Sequence, residues 1–282
     1  MLDLSIIILS CNNKKVLDEC IYSVYTYTQG VSFEVIVTDN GSTDGTQAML
    51  KQKFENVILL DNRANLGFTV ANNKGLRIAK GRYSVLLNDD TYLTEDSLSQ
   101  IVRFMDSDPK IGVCGPRLLN PDGSIQSQGS ILQRHVWKTR SPRNVPMVIG
   151  ACFFIRTSMI EEIGMLDENL FFYNDDIDYC LRARKAGYKV VYYPLSSVYH
   201  YGGFSSKGKP NRKLVVEGYR GGLYFCKKYY GALAYHVYRL LLLIYMLIAL
   251  LYSWITSYWN KEWYDIYSDI IQIIISQQIL SK

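Results

Sequence analysis

The sequence predicts an α/β fold with a mainly parallel sheet, and three observations carry that reading. Apolar runs of five to eight residues alternate with stretches of helical period up to about residue 116, the signature of successive βαβ units. The residues that follow each apolar run are unusually polar, as expected where a sheet of this class offers its carboxyl edge to a ligand. A chain of 282 residues, 48% hydrophobic and 20% charged, can bury a large core, and its composition excludes disorder, collagen and coiled coil.

Strands are predicted at Leu4 to Ser10, Phe33 to Thr38, Val57 to Leu60, Tyr83 to Leu87 and Ile111 to Gly115. Helices are predicted between them near Val16 to Tyr27, Thr46 to Lys53, Phe68 to Ala79 and Ser97 to Ser107. From Arg117 to Arg143 the pattern gives way to Pro, Gly, Ser and Gln, a long irregular excursion of the kind that usually serves binding. Regular signal returns at Val148 to Arg156 and in a helix near Ser158 to Ile163. The acids Asp175, Asp176 and Asp178 then open a helix to Ala186, and a strand from Lys189 to Tyr193 is ended by Pro194.

Four strand ends bring polar residues to one edge: Ser10 to Asn13, Asp39 to Gly45, Asp61 to Gly67, and Asn88, Asp89 and Asp90. Each alone reads as turn and N-cap chemistry; together on one edge they favour a site. Carboxylates at the end of the apolar strand before Asn88 are poorly placed for folding but suit a hard divalent cation, magnesium or manganese, which shares its oxygen ligands with substrate phosphates. The second acidic cluster follows Phe171, Phe172 and Tyr173. Acids at a helix start are favoured by the macrodipole, which explains at least one of the three. An aromatic wall beside the others would raise a carboxylate pKa and suit a general base.

At these clusters the sequence resembles the inverting nucleotide-sugar glycosyltransferases of family two, most of all the rhamnosyltransferase-like branch of bacterial cell-surface polysaccharide synthesis. The resemblance covers roughly residues 3 to 230. It rests on DNGSTDGT from Asp39, NLGFTVANNKG from Asn65, Asn88 to Asp90, Asp175 to Asp178 with Cys180, Leu181 and Arg182, and VYHYGG from Val198. It implies the GT-A fold, a Rossmann-like nucleotide-binding mixed sheet flanked by helices, over 1–230, with halves at about 1–116 and 117–230. A helical, membrane-associated tail would follow over 231–282.

For the site, the resemblance implies that Asp39 and Asn65 contact the nucleotide, with Ser10 and Asn12 nearby and Gly67, Asn73, Asn88 and Asp89 completing the nucleotide-sugar pocket. Asp90 and His200 become metal ligands, and Asp176, beside Asp175, the catalytic base. The implied cofactor is Mn2+ or Mg2+. The implied partners are a nucleotide-sugar donor, dTDP-rhamnose foremost, and a saccharide acceptor carried on a polyprenyl diphosphate. The family often has Asp where Asn88 stands, Glu at the position of Asp175, and Thr and Tyr where Ser10 and Cys11 stand. Of the properties the family implies, metal affinity is the one these departures bear on.

From Arg182 to Arg239 twelve Lys or Arg stand against one acid, Glu217, so this stretch expects an anionic partner. Leu240 to Trp259 carries no charge, but only Leu240 to Leu251 is solidly apolar. That length suits an in-plane or re-entrant helix better than a span, although a single span and an oligomerisation helix stay open. The expected location is the cytoplasmic face of the cell membrane. Six scattered cysteines without a CxxC pair fit a reducing compartment. The N-terminal apolar run, with no basic region before it and no cleavage site after it, reads as a strand rather than a signal peptide. A non-catalytic nucleotide-sugar or glycan-binding subunit is the alternative function. A dinucleotide-binding dehydrogenase lacks its glycine run at SCNNKK, and no motif for reading nucleic acid accompanies the basic stretch.

Overall fold

A computed structural model describes residues 2–128, 135–202, 211–255 and 261–276. The chain forms two compact units, Met1–Leu166 with Asp176–Phe204, and Asp167–Asp175 with Ser205–Lys282.

The first unit is a mixed sheet between helices. Strands β1 (Leu2–Ser10), β2 (Phe33–Asp39), β3 (Val57–Asp61) and β4 (Gly81–Asn88) are parallel, connected through α1 (Lys14–Tyr27), α2 (Thr46–Lys53) and α3 (Gly67–Ile78). The strand order β3-β2-β1-β4 reverses direction between β1 and β4. At such a switch point the loops leaving the two strands diverge and open a crevice beyond their carboxyl ends. The chain continues through β5 (Thr91–Tyr92), α4 (Ser97–Asp106), β6 (Ile111–Leu119), β7 (Arg143–Asn144), β8 (Cys152–Arg156), α5 (Thr157–Ile163), α6 (Asp175–Lys185) and β9 (Lys189–His200). β8 inserts antiparallel between β4 and β6, β9 lies parallel to β6, and β5 and β7 pair antiparallel with β9.

Burial on both faces explains why β1 carries an unbroken apolar run through its middle, Ile6 to Leu9. Its Leu4, Ile6 and Ile8 join a core with Leu17, Ile21 and Val24 of α1 and Leu98, Ile101 and Met105 of α4. On the opposite face α3 approaches so closely that a Cβ at Gly75 would lie 2.6 Å from Ile7 Cγ2. Two strand ends depart from the sequence reading. β6 runs to Leu119 rather than Gly115, and β9 passes through Pro194 to His200. The register jumps from Pro116↔Tyr193 to Arg117↔Ser197, so Pro194 sits in a bulge where its missing N–H breaks no ladder bond. The excursion after Arg117 also begins with order. Asn120, Pro121, Asp122 and Gly123 make a tight turn, and Gln126 N donates to Leu118 O across a short hairpin at 2.8 Å.

The second unit is helical. The segment α7 (Arg212–Ile255) is interrupted at Gly231, whose φ of 80° and ψ of 179° belong to glycine. Its two halves fold back on each other, as shown by a Cβ at Gly222 falling 3.3 Å from the Tyr238 hydroxyl. With α8 (Lys261–Ser276) they enclose Val216, Leu223, Tyr235, Leu242, Met246, Ile266, Ile270, Ile273 and Ile274. The first half of α7 therefore packs with the second half and with α8. The amphipathic period of α8 needs a partner, and the first half of α7 supplies part of it. Gly203 of the last motif and residues 256–259 of the apolar stretch lie outside the described residues.

Gly81 opens β4 where a Cβ would meet Ser5 N and Tyr83 O at 2.5 Å, both backbone atoms. Gly81→Ala is expected to push β1 and β4 apart and cost about 1–3 kcal/mol, read as a lower urea midpoint with an unchanged slope.

Candidate active site

The site grows from the ends of β1, β2 and β4. The strand register sets Ser10 beside Asp39 and Leu9 beside Asn88. Asp39, fully buried, accepts from Ser42 N and from Gln47 Nε2 at 2.7 Å, so its carboxylate is held by donors rather than by a cation. Asn12 takes a left-handed conformation, φ 55°, that asparagine tolerates. From there its Oδ1 accepts from Thr43 N at 2.7 Å, and its own N–H donates to Ser42 Oγ. The first loop and the DNGSTDGT turn are thereby clamped together. Asn65, exposed, accepts from Gly67 N at 3.0 Å, and Gly67, at φ 81°, starts α3 in a conformation open to glycine.

Asn73 bonds to the backbone of a distant segment. It is 1% exposed, and its amide donates to Leu166 O at 2.9 Å while its Oδ1 accepts from Leu166 N at 3.0 Å. A side chain buried and bonded at both ends to one backbone residue ties α3 to the segment before Asp167.

At the end of β4, Asp89 and Asp90 are buried, at 7% and 6% exposure. Burial, reinforced by the charge of Asp90, pushes the Asp89 carboxyl up to about 7, while the Ser10 hydroxyl and Asn13 pull against that rise. Asn13 Nδ2 donates to Asp89 Oδ2 at 3.1 Å, and the residue immediately precedes α1. Sequence reasoning saw Asn13 only as part of a turn. Opposite, β5 pairs Thr91 with His200, which brings His200 Nε2 to 3.2 Å from Asp90 Oδ1 and 3.3 Å from Asn88 Nδ2. The other ring nitrogen, Nδ1, faces Gln126 Oε1 at 2.7 Å. Gln126 was missed because the excursion read as irregular, although Asn-Pro-Asp-Gly between Leu119 and Ser124 is a hairpin signal.

The second acidic cluster divides. Asp178, fully buried, pairs with Arg182 Nε at 2.8 Å, and that guanidinium also donates to Ile163 O and Met165 O, so this acid serves folding. Asp175, buried, begins α6. Asp176 is partly exposed by surface area, yet burial of its carboxyl raises it to about 6 against bonds from Ile177 N and Gly150 N. The next residue, Ala151, accepts from Asn88 N at 3.0 Å. Two consecutive residues before β8 thus join the end of β4 to Asp176. The aromatics ahead of the acids are engaged within the second unit: Lys213 Nζ sits 4.1 Å from the centre of the Phe171 ring, and Tyr173 lies against Gly218.

Among the described residues no group of three or more His, Cys, Asp or Glu side chains is arranged to hold a cation. The pair Asp90 and His200 nonetheless fits a cation that takes its remaining ligands from a substrate. Gln126 Nε2 donates to Asn120 Oδ1 at 3.0 Å, so the atom facing His200 is an acceptor and Nδ1 carries the proton. In the neutral ring Nε2 is then an acceptor, 3.3 Å from the donor Asn88 Nδ2 and 3.2 Å from Asp90 Oδ1, a separation that suits two ligands of one cation.

The profile of glycosyl transferase family 2 matches residues 5–164. The N-acetylglucosaminyl-diphospho-decaprenol L-rhamnosyltransferase of Mycobacterium tuberculosis is 29% identical over 217 residues, 64% of this chain and 71% of that protein. A low-salt glycan biosynthesis hexosyltransferase of Haloferax volcanii is 28% identical over 198 residues, 65% of this chain and 62% of that protein. In fold, the chain is similar to the mannosyltransferase from Pyrobaculum calidifontis in complex with GDP-Man and Mn2+, at a TM-score of 0.64, 14% identity, and coverage of 99% and 90%.

Asn73→Ala leaves the Leu166 N–H and C=O without their buried partners, so a loss of about 2–4 kcal/mol is expected. If Asn73 serves folding alone, the folded variant keeps wild-type nucleotide affinity by calorimetry at low temperature. A weakened affinity there would return the residue to the pocket.

Proposed function

The chain belongs to glycosyl transferase family 2, and on that premise we propose that it is an inverting transferase that uses Asp176 as base and Asp90 with His200 as metal ligands. It moves rhamnose from dTDP-rhamnose to a hydroxyl of a saccharide carried on a polyprenyl diphosphate, in surface polysaccharide synthesis. The observation that carries the reading is the link through Gly150 and Ala151, which ties the raised carboxyl of Asp176 to the strand end bearing Asn88, Asp89 and Asp90. An acid near pH 6 beside a candidate diphosphate site has both halves of the chemistry. Similarity to the Mycobacterium rhamnosyltransferase supports the donor sugar and the lipid diphosphate, and similarity to the Mn2+ complex of the Pyrobaculum mannosyltransferase supports manganese.

In the transfer, the acceptor oxygen attacks the anomeric carbon from the face opposite the nucleotide, and its proton passes to the Asp176 carboxylate. The bond from that carbon to the diphosphate breaks, its electron pair leaving with the diphosphate. One displacement inverts the centre. Asp90 and His200 would hold Mn2+ or Mg2+, which when bound would supply neutralisation of the charge that develops on the leaving group. Asp39 and Asn65 hold the nucleotide, with the Asn12 clamp keeping their turn in place.

The second unit suits a membrane surface. The second half of α7 exposes Leu240, Leu241, Ile244, Ile248 and Leu251 at 44–60%, and it is long and apolar enough to cross a bilayer by composition alone. Because α8 packs along it, Asp265 and Asp269, paired with Arg212, are carried beside that apolar stretch. Charges so placed favour a helix lying in the interface over a span.

Asp176→Asn is expected to cut turnover about 10²- to 10⁴-fold with nucleotide affinity nearly unchanged. In the wild type, the carboxyl must be ionised to accept a proton, so kcat/KM falls as pH drops through about 6; a rate flat across that range would remove Asp176 from the role. For the tail, Leu241→Glu, Ile244→Glu and Ile248→Glu together change only exposed positions and should shift the protein from membrane to soluble fractions in a high-salt wash. A wild type that is soluble as an oligomer, and that these changes dissociate, would make the face a protein contact instead.

A further inference from the structure

The Asn120–Ser124 hairpin presents a chain of side chains that the proposed reaction does not use, each donating to the next. Ser124 Oγ donates to Asp122 Oδ1 at 2.6 Å, Asn120 Nδ2 to Ser124 Oγ at 2.9 Å, Gln126 Nε2 to Asn120 Oδ1 at 3.0 Å, and His200 Nδ1 to Gln126 Oε1 at 2.7 Å. Direction is set at the far end, because an ionised carboxylate only accepts. The Asp122 carboxyl is held below its ordinary range by the Ser124 hydroxyl and the Ser124 N–H, which keeps it in that form. Each amide is oriented by the bond before it, and the polarity reaches the imidazole unbroken.

The backbone makes this chain stiff. Asn120 N donates to Ser124 O and Gly123 N to Asn120 O, both at 2.8 Å, and Gln126 N is paired to Leu118 O on β6. β6 is itself in register with β9 at Leu118↔Val198, two residues before His200. Gly202, at φ 64°, leaves the space the amide occupies: a Cβ there would stand 3.0 Å from Gln126 Nε2. The carboxamide of Gln126 therefore has one position and one orientation.

We propose that Gln126 is a positioning residue that locks His200 in the Nδ1–H tautomer, so that Nε2 presents its lone pair toward Asp90 and a divalent cation. A metal-bound imidazole commonly donates its other N–H to a carbonyl or carboxylate, and loss of that partner typically weakens metal affinity about 10- to 100-fold. The inference rests on the reading of Asp90 and His200 as metal ligands, and it adds that the hairpin sets the strength of that site. Asn120, Ser124 and Asp122 act through Gln126, with effects that diminish with distance along the chain.

The tautomer can be read without metal. The protein has three histidines, so the His200 ring signals are assigned by their absence in His200→Ala. Two-bond ¹H–¹⁵N spectra of the metal-free full chain at alkaline pH should show His200 as the Nδ1–H form. In Gln126→Leu the Nε2–H form should predominate, and in Gln126→Glu, which keeps the acceptor, the Nδ1–H form should return. Mn2+ binding, followed by loss of the free-ion paramagnetic resonance signal with dTDP present, should weaken about 10- to 100-fold in Gln126→Leu. It should weaken less in Asn120→Ala and stay within a few-fold of wild type in Gln126→Glu. Wild-type tautomer and Mn2+ affinity in Gln126→Leu, while His200→Ala loses the ion, would overturn the role of Gln126 and leave the metal site standing. Undiminished Mn2+ affinity in His200→Ala would instead overturn the site itself.

Discussion

Burying carboxylates at the ends of apolar strands and at the start of α6 is the constraint on which the rest of this protein depends. A desolvated carboxylate persists as an ion only if donors or cations surround it. The chain answers differently at each one. Asp39 receives a backbone N–H and the Gln47 amide, Asp178 receives Arg182, Asp89 receives Asn13, and Asp90 faces His200. The first two are fully compensated from within and hold the fold together. The groups at the end of β4 and Asp176 are compensated less completely. Asp89 and Asp176 accordingly have carboxyls raised above the ordinary carboxylate range by burial.

The same logic reduces the apparent charge of the C-terminal part. Twelve basic residues between Arg182 and Arg239 suggest a strongly cationic surface, but several are committed within the protein. Arg182 is bound by Asp178, Lys189 by Asp108, Arg212 by Asp265 and Asp269, Arg220 by Glu217, and Lys228 by Asp167. Arg239 donates to the carbonyls of Ile274 and Ile275 at the end of α8, where a cation also meets the favourable end of the helix dipole. Among the described residues of the second unit, Leu240, Leu241, Ile244, Ile248 and Leu251 on the second half of α7 are exposed and apolar.

Most of the first unit was legible in the sequence, because period and turn chemistry are local. The apolar runs of β1, β2 and β4, the helices between them, and the polar residues after each strand follow from side-chain alternation and from where Asp, Asn and Gly are tolerated. The gathering of Asn88, Asp89 and Asp90 with the other polar strand ends on one edge was legible for the same reason, since each follows an apolar run. His200 drew attention only by resemblance, since nothing near it in sequence distinguishes a ligand from a packed histidine.

What the sequence by itself determined was therefore the class of fold, the edge of the sheet at which chemistry would sit, and most of the residues gathered there. Tertiary structure decided which partners those residues have. Asn73 is drawn into folding by the two backbone groups of Leu166, and Asp178 by Arg182. Pro194 is absorbed by a bulge that exists only because β6 lies alongside. Gln126 reaches His200 only after β6 and β9 have come into register and the hairpin has turned back. For Asn73, Pro194 and Gln126 the deciding partner lies tens of residues away in the chain, and a donor's value depends on which acceptor the fold brings within hydrogen-bond reach.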